Sequence, residues 1–175
     1  GVVEHEPSHR RAGGVKVYGV DPRFWAFHGL GKVGLGTPQD REVLISEGLA
    51  SELGAQRDDS LLLRLEKPSD IPLESIHGRK DDPGKTIRLT PVFPLMSRDL
   101  GEFSLQPQQG VVRAMFVSLK FLQRELDQQQ KINTILVGQQ PSVSETEALL
   151  RDKATLEDLG LKLRTLSGSL SLESN

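Results

Sequence analysis

Cysteine is absent from this chain. That removes disulfides, thiolate nucleophiles and thiolate-held zinc from consideration. Aromatic residues are scarce, at 5% of 175 positions, so a core must be built mainly from Leu, Val and Ile. No run approaches the roughly 20 apolar residues that a membrane-spanning helix needs. Nor does one sign of charge dominate. Lys and Arg number 22 against 24 Asp and Glu, a net charge of −2, which gives no electrostatic reason to expect nucleic acid. The opening Gly1-Val2-Val3-Glu4-His5 carries neither Met nor an apolar leader, and reads as the start of a fragment cut from a longer protein.

What is present is the composition of a folded body, 36% hydrophobic and 26% charged, sized for one domain or two small intertwined subdomains. Val15 to Val20 alternates as a strand does, and Asp21-Pro22 stops it. Residues 29–40 are Gly-rich and read as loop. Glu42 to Ile45 forms a short strand running into a helix that Ser46 caps, Leu49, Ala50 and Leu53 stripe, and Gly54 ends. Ser60 to Glu66 is a strand with Leu61, Leu63 and Leu65 on one face, and Lys67 to Lys85 is a polar, Pro-rich surface loop. Thr86 to Val92 is a strand that Pro91 and Pro94 confine to an edge or an end.

Val111 to Val117 is a further strand, followed by a helix that Ser118 caps and the Gln128-Gln129-Gln130 run ends. Ile132 to Val137 is almost continuously apolar, as in a central strand buried on both faces. Ser144 and Glu147 have capping-box spacing and open a helix to about Ala154. Leu161 to Leu166 and Ser169 to Leu172 alternate on either side of a Ser167-Gly168 turn. Three helices and seven or eight irregularly alternating strands make an α+β pattern of mixed sheets.

Several motifs imitate chemistry. His5-Glu6-Pro7-Ser8-His9 spells H-E-x-x-H, but zinc hydrolysis needs both histidines on one helix face, and Pro7 stands between them. The reading is a solvated strand end or loop, with no metal site. Gly29-Leu30-Gly31-Lys32-Val33-Gly34 spells G-x-G-x-x-G, yet Gly36 and Pro38 follow where a phosphate-binding helix should open. His28 and His77 lie beside an aromatic cluster and in a polar loop, and both read as structural or solvated. Asp58-Asp59 and Asp81-Asp82 match no calcium-loop spacing. Phe24-Trp25-Ala26-Phe27 is the densest aromatic patch; a core anchor is the first reading, and a partner surface made by Phe24, Trp25 and Phe27 the second. No catalytic, cofactor or metal residue is assigned, and the chain is not read as an enzyme.

Five segments carry a resemblance. Val17-Tyr18-Gly19-Val20 through Phe24-Trp25 resembles a stretch in the periplasmic core domain of MacB-type and FtsX-type ABC-transporter permeases. Val43-Leu44-Ile45-Ser46-Glu47-Gly48-Leu49-Ala50 through Gly54, then Asp59 to Leu63, is similar to its next two pieces, although Asp58 stands where that family commonly has Gly. Met115 to Gln123 resembles the family's strand-to-helix step, and Ile132-Asn133-Thr134-Ile135-Leu136-Val137 its following strand. Together they span about Val15 to Leu166 in matching order. The resemblance implies a porter-like βαβ subdomain from residues 1–25 and 129–175, starting inside the family's usual N-terminal half, and a small inserted α/β subdomain over 26–128. It further implies a non-catalytic part on the periplasmic side of a bacterial inner membrane, without a cofactor, that transmits membrane-helix movement to export or to a partner. Its own transmembrane helices, an ATP-binding subunit or domain and a periplasmic protein would be its partners, with dimerisation in the complete transporter. A free-standing protein- or ligand-binding module is the alternative.

Overall fold

The structure, a computed structural model, describes residues 1–31, 36–65, 84–107, 109–138, 142–156, 158, 161–166 and 169–174. Contacts divide the chain into two units, Gly1–Asn133 and Thr134–Asn175.

The first unit is an α+β body on a seven-stranded mixed sheet. Its strands are β1 (Val2–His5), β2 (Arg10–Ala12), β3 (Lys16–Val20), β4 (Glu42–Ser46), β5 (Leu61–Leu65), β6 (Lys85–Leu95) and β7 (Ala114–Ser118), in the order β2-β1-β5-β6-β4-β7-β3. Pairs β4–β6 and β3–β7 run parallel, and the others antiparallel. Residues 1–25 therefore share one sheet with residues 42–118, a grouping that differs in its bounds from the division at 25 and 128 that the resemblance implies.

Period-2 patterning explains which side chains go in. Val3, Val43, Ile45, Leu61, Leu63, Ile87, Leu89, Met115 and Val117 face one side. There α2 (Glu47–Leu53) and α3 (Leu119–Glu125) cover them with Leu49, Ala50, Leu53 and Phe121. Leu44, Ala114, Phe116 and Val20 face the other side, under Trp25 of α1 (Pro22–Phe27) and near Leu100 and Phe103. The central β4 and β7 are thus buried on both faces, whereas β1 and β5 turn Glu4 and Arg64 outward. Gly19 is needed for close approach: a Cβ there would lie 3.1 Å from Leu122 and 3.2 Å from Leu119 of α3.

The strand-to-helix step at Ser46 forms as expected. The Ser46 hydroxyl accepts from Leu49 N–H at 3.3 Å, and Gly54 ends the helix in the left-handed region at φ 68°. Asp21 does more than stop β3: its side chain accepts from Arg23 N–H and starts α1, with Pro22 at the first helical position.

Three expectations require correction. β6 is interior to the sheet despite Pro91 and Pro94. Its first half pairs only with β5, through Leu61↔Leu89 to Leu65↔Lys85, and its second half only with β4, across an irregularity between Val43 and Ile45. Each proline therefore needs one paired side, which a residue without N–H tolerates. Ile132–Val137 is not a buried strand: it is irregular and mostly exposed, and no described strand pairs with it. The polar Lys67–Lys85 loop falls mainly outside the described residues, as do parts of the Gly-rich stretch at 32–35.

The second unit holds α4 (Val143–Lys153) and the antiparallel hairpin β8 (Leu161–Leu166) with β9 (Ser169–Ser174). The third correction lies here. The capping box is Ser142 with Glu145, two residues before the expected pair, each side chain bonding the other's backbone N–H.

Candidate functional site

β1 carries Val3 and His5 to the inner face by alternation, and ends at the turn that returns the chain to β2. His5 is only 4% exposed. Its Nε2 lies 3.0 Å from Asp59 Oδ2, and its Nδ1 lies 2.7 Å from Ser8 Oγ. A carboxylate only accepts, so Nε2 carries a proton toward Asp59; the Ser8 hydroxyl lies between Nδ1 and Leu53 C=O, at 3.3 Å from the latter, with one proton to give. The Gln56 backbone N–H, and after it the His5 ring, hold the Asp59 carboxyl below the usual carboxylate range.

This serine–histidine–aspartate chain has the connectivity of a hydrolytic triad, but a triad also needs oxyanion donors beside a substrate pocket. None of the three residues lines the groove described below. What the chain does is tie the β1–β2 turn to the segment leading into β5. A Ser60–Glu6 hydrogen bond and the Arg88–Glu6 ion pair at 2.8 Å add to the tie. His9, the other histidine of the H-E-x-x-H string, is exposed and lies 3.5 Å from Glu4, which alternates to the opposite face from His5. The string therefore does not bring its two histidines together. Among the described residues no group of three or more metal-ligating side chains gathers.

The aromatic patch separates into inside and outside. Trp25 is 2% exposed, 5.8 Å from the Phe116 ring and edge-on to Phe24 at 5.2 Å. Phe24 is half-buried and also meets Phe103 and His28. Phe27, at 46% exposed, is the one of the three aromatic side chains that reaches solvent substantially. His28 packs among Phe24, Phe27 and Phe103, and burial pushes its pKa down. Trp25 Nε1 and His28 Nε2 are buried with no partner among the described residues.

An open groove of about 1000 Å³ runs between the first turn of α2 and residues 95–112. Ser46 braces it: the hydroxyl donates to Val112 C=O at 2.7 Å and accepts from Ala114 N–H at 3.1 Å, so this fully buried side chain is satisfied. Its walls include Glu47, Ser51, Leu95, Glu102, Leu105 and Val111. Periodicity could not have found it, because 96–113 has no apolar repeat, and among its described residues the one regular element is the short 3-10 turn at Ser97–Asp99.

No known protein-family model matches the chain, and none of the curated proteins matches it. No helix among the described residues is long and apolar enough to cross a membrane.

Proposed function

We propose that this chain is the extracytoplasmic domain of a bacterial ABC-transporter permease, a non-catalytic body that couples movement of flanking membrane helices to export or to a protein partner. The observation that supports it is the ordered series of five segments between Val15 and Leu166 that resemble the periplasmic core of MacB-type and FtsX-type permeases. Four of them fall on β3 with α1, β4 with α2, β5, and β7 with α3; three of these are steps where strand hands over to helix. The fifth, Ile132–Val137, which the resemblance implies is a strand, is irregular and mostly exposed and adds no support. Force transmission asks for a stiff core and a docking surface, and no nucleophile. The two-faced burial of β4 and β7 and the braced groove supply both kinds of feature.

Translation of the parent gene on both sides of this segment tests the reading. An apolar run of roughly 20 residues before it and several after it are expected. A reading frame without such runs overturns the proposal in favour of a free-standing binding module.

A further inference from the structure

We propose that the groove between the first turn of α2 and residues 95–112 is a docking site for an extended protein segment that carries a lysine or arginine between apolar side chains. The inference rests on the groove alone and holds whether or not the chain belongs to a transporter.

Charge comes first. Glu47 and Glu102 line the groove, no basic residue lines it with them among the described residues, and neither carboxylate forms an ion pair with a described residue. Elsewhere on this unit carboxylates do find cations, as Glu4 does with Arg11, Glu52 with Arg113 and Glu125 with Lys85. Ser97 Oγ donates to Glu102 Oε1 at 3.0 Å, which holds that carboxylate in place. The two acids form a negative lining that a cation from outside would complement.

Polar and apolar side chains share the rest of the lining: Ser51, Ser97 and Gln106 are exposed there, and so are two large apolar side chains. Leu105 is 47% and Val111 68% exposed, and Leu95 closes the floor, fully buried. A bare cation would leave those side chains in water, whereas apolar residues flanking a cation would cover them. The volume of about 1000 Å³ stands at the top of the range of small-ligand cavities, and the site is a groove open to solvent rather than an enclosed pocket. That shape suits a chain segment, as grooves that take peptides do.

Close backbone approaches at two glycines shape the groove. A side chain at Gly101 would collide with the Leu95 carbonyl, and one at Gly48 with the Val111 side chain. Ser46 fixes the far wall through Val112 and Ala114.

The test is a selection from a displayed library of random 12-residue peptides on the immobilised full chain. The enriched peptides are then synthesised and titrated into ¹⁵N-labelled protein. Expected are sequences sharing Lys or Arg between apolar residues, amide shifts centred on Gly48, Gly101 and Val112, and affinity that falls as salt rises. The pair Glu47→Lys with Glu102→Lys should weaken binding by about tenfold or more. Because Glu47 sits in the first turn of α2, Glu47→Gln with Glu102→Gln provides a milder variant, with thermal melting to check that both fold. The proposal is overturned if no sequence is enriched, if the consensus lacks a cation, if shifts centre elsewhere, or if both folded variants bind as the unaltered chain does.

Discussion

Replacing Trp25 by alanine tests how the sheet's second face is held together. The side chain is 2% exposed against Phe24, Leu44 and Phe116. A buried Trp removes on the order of 200 Å² from water, which at roughly 25 cal/mol per Å² corresponds to about 5 kcal/mol, an upper figure because the unfolded chain is already partly compact. An opposing effect is present in the same residue. The indole N–H is buried without a described partner, and an unmet donor costs about 1–3 kcal/mol, which truncation relieves. The net loss for Trp25→Ala is therefore about 2–4 kcal/mol. Trp25→Phe loses only part of the area and all of the unmet donor, so its effect should stay within about 1 kcal/mol. Phe27→Ala, on the same helix but largely exposed, should cost less than about 1 kcal/mol. Urea unfolding followed by far-ultraviolet circular dichroism measures all three, since Trp25 is the sole tryptophan and its fluorescence disappears with it. With a slope of about 1–3 kcal/mol per molar urea, the alanine variant should shift the midpoint by about 1 M or more. A Trp25→Ala loss below that of Phe27→Ala would refute the reasoning. So would a Trp25→Phe loss as large as the alanine loss, because burial of area would then not be the dominant effect.

Two further outcomes follow from the histidines. Burial lowers the pKa of His28 below its unfolded value of about 6.5, so the unfolded chain binds the proton more tightly, and stability is complete above that value and is lost as pH falls below it. Between pH 7.5 and 5 the melting temperature of the unaltered chain should drop further than that of His28→Phe; equal drops would contradict this. His5→Ala should destabilise the first unit by about 1–3 kcal/mol in the same urea assay, because it removes the hydrogen bonds to Ser8 and Asp59 and opens a gap at a buried position. A loss under about 0.5 kcal/mol would mean the tie does not contribute.

Local signals were the legible part of the fold. Ser46 and Gly54 bracket α2 because capping and left-handed backbone depend on a residue and its immediate neighbours. The alternation of β3, β5 and the β8–β9 hairpin is likewise a property of short windows. Signals that need a distant partner were not legible. The apolar run Ile132–Val137 reads as a central strand, but burial requires neighbouring strands, which a run of side chains does not specify. Two overlapping boxes, Ser142 with Glu145 and Ser144 with Glu147, compete in one string, and the earlier one gives the helix two more residues. Pro91 and Pro94 suggest an edge, but the pairing of each half of β6 with a different neighbour depends on β4 and β5 together. His5 reads as solvated because its neighbours in sequence are polar; its burial comes from the pairing of β1 with β5, and its partner Asp59 lies 54 positions away. The groove depends on residues 95–112 folding back on α2, and the only local hints are the glycines at 48 and 101.

The compartment in which this body lies tests the central claim most directly. The chain has no cysteine, so Phe27→Cys, at an exposed position, gives a single thiol within it. In the full parent protein, with any other cysteine replaced by serine, a membrane-impermeant maleimide is applied to bacterial cells whose outer barrier has been opened and whose inner membrane is intact. A permease domain on the outer side predicts labelling under these conditions, equal to that after lysis. Labelling that occurs only after lysis would place the body in the cytoplasm and contradict the account.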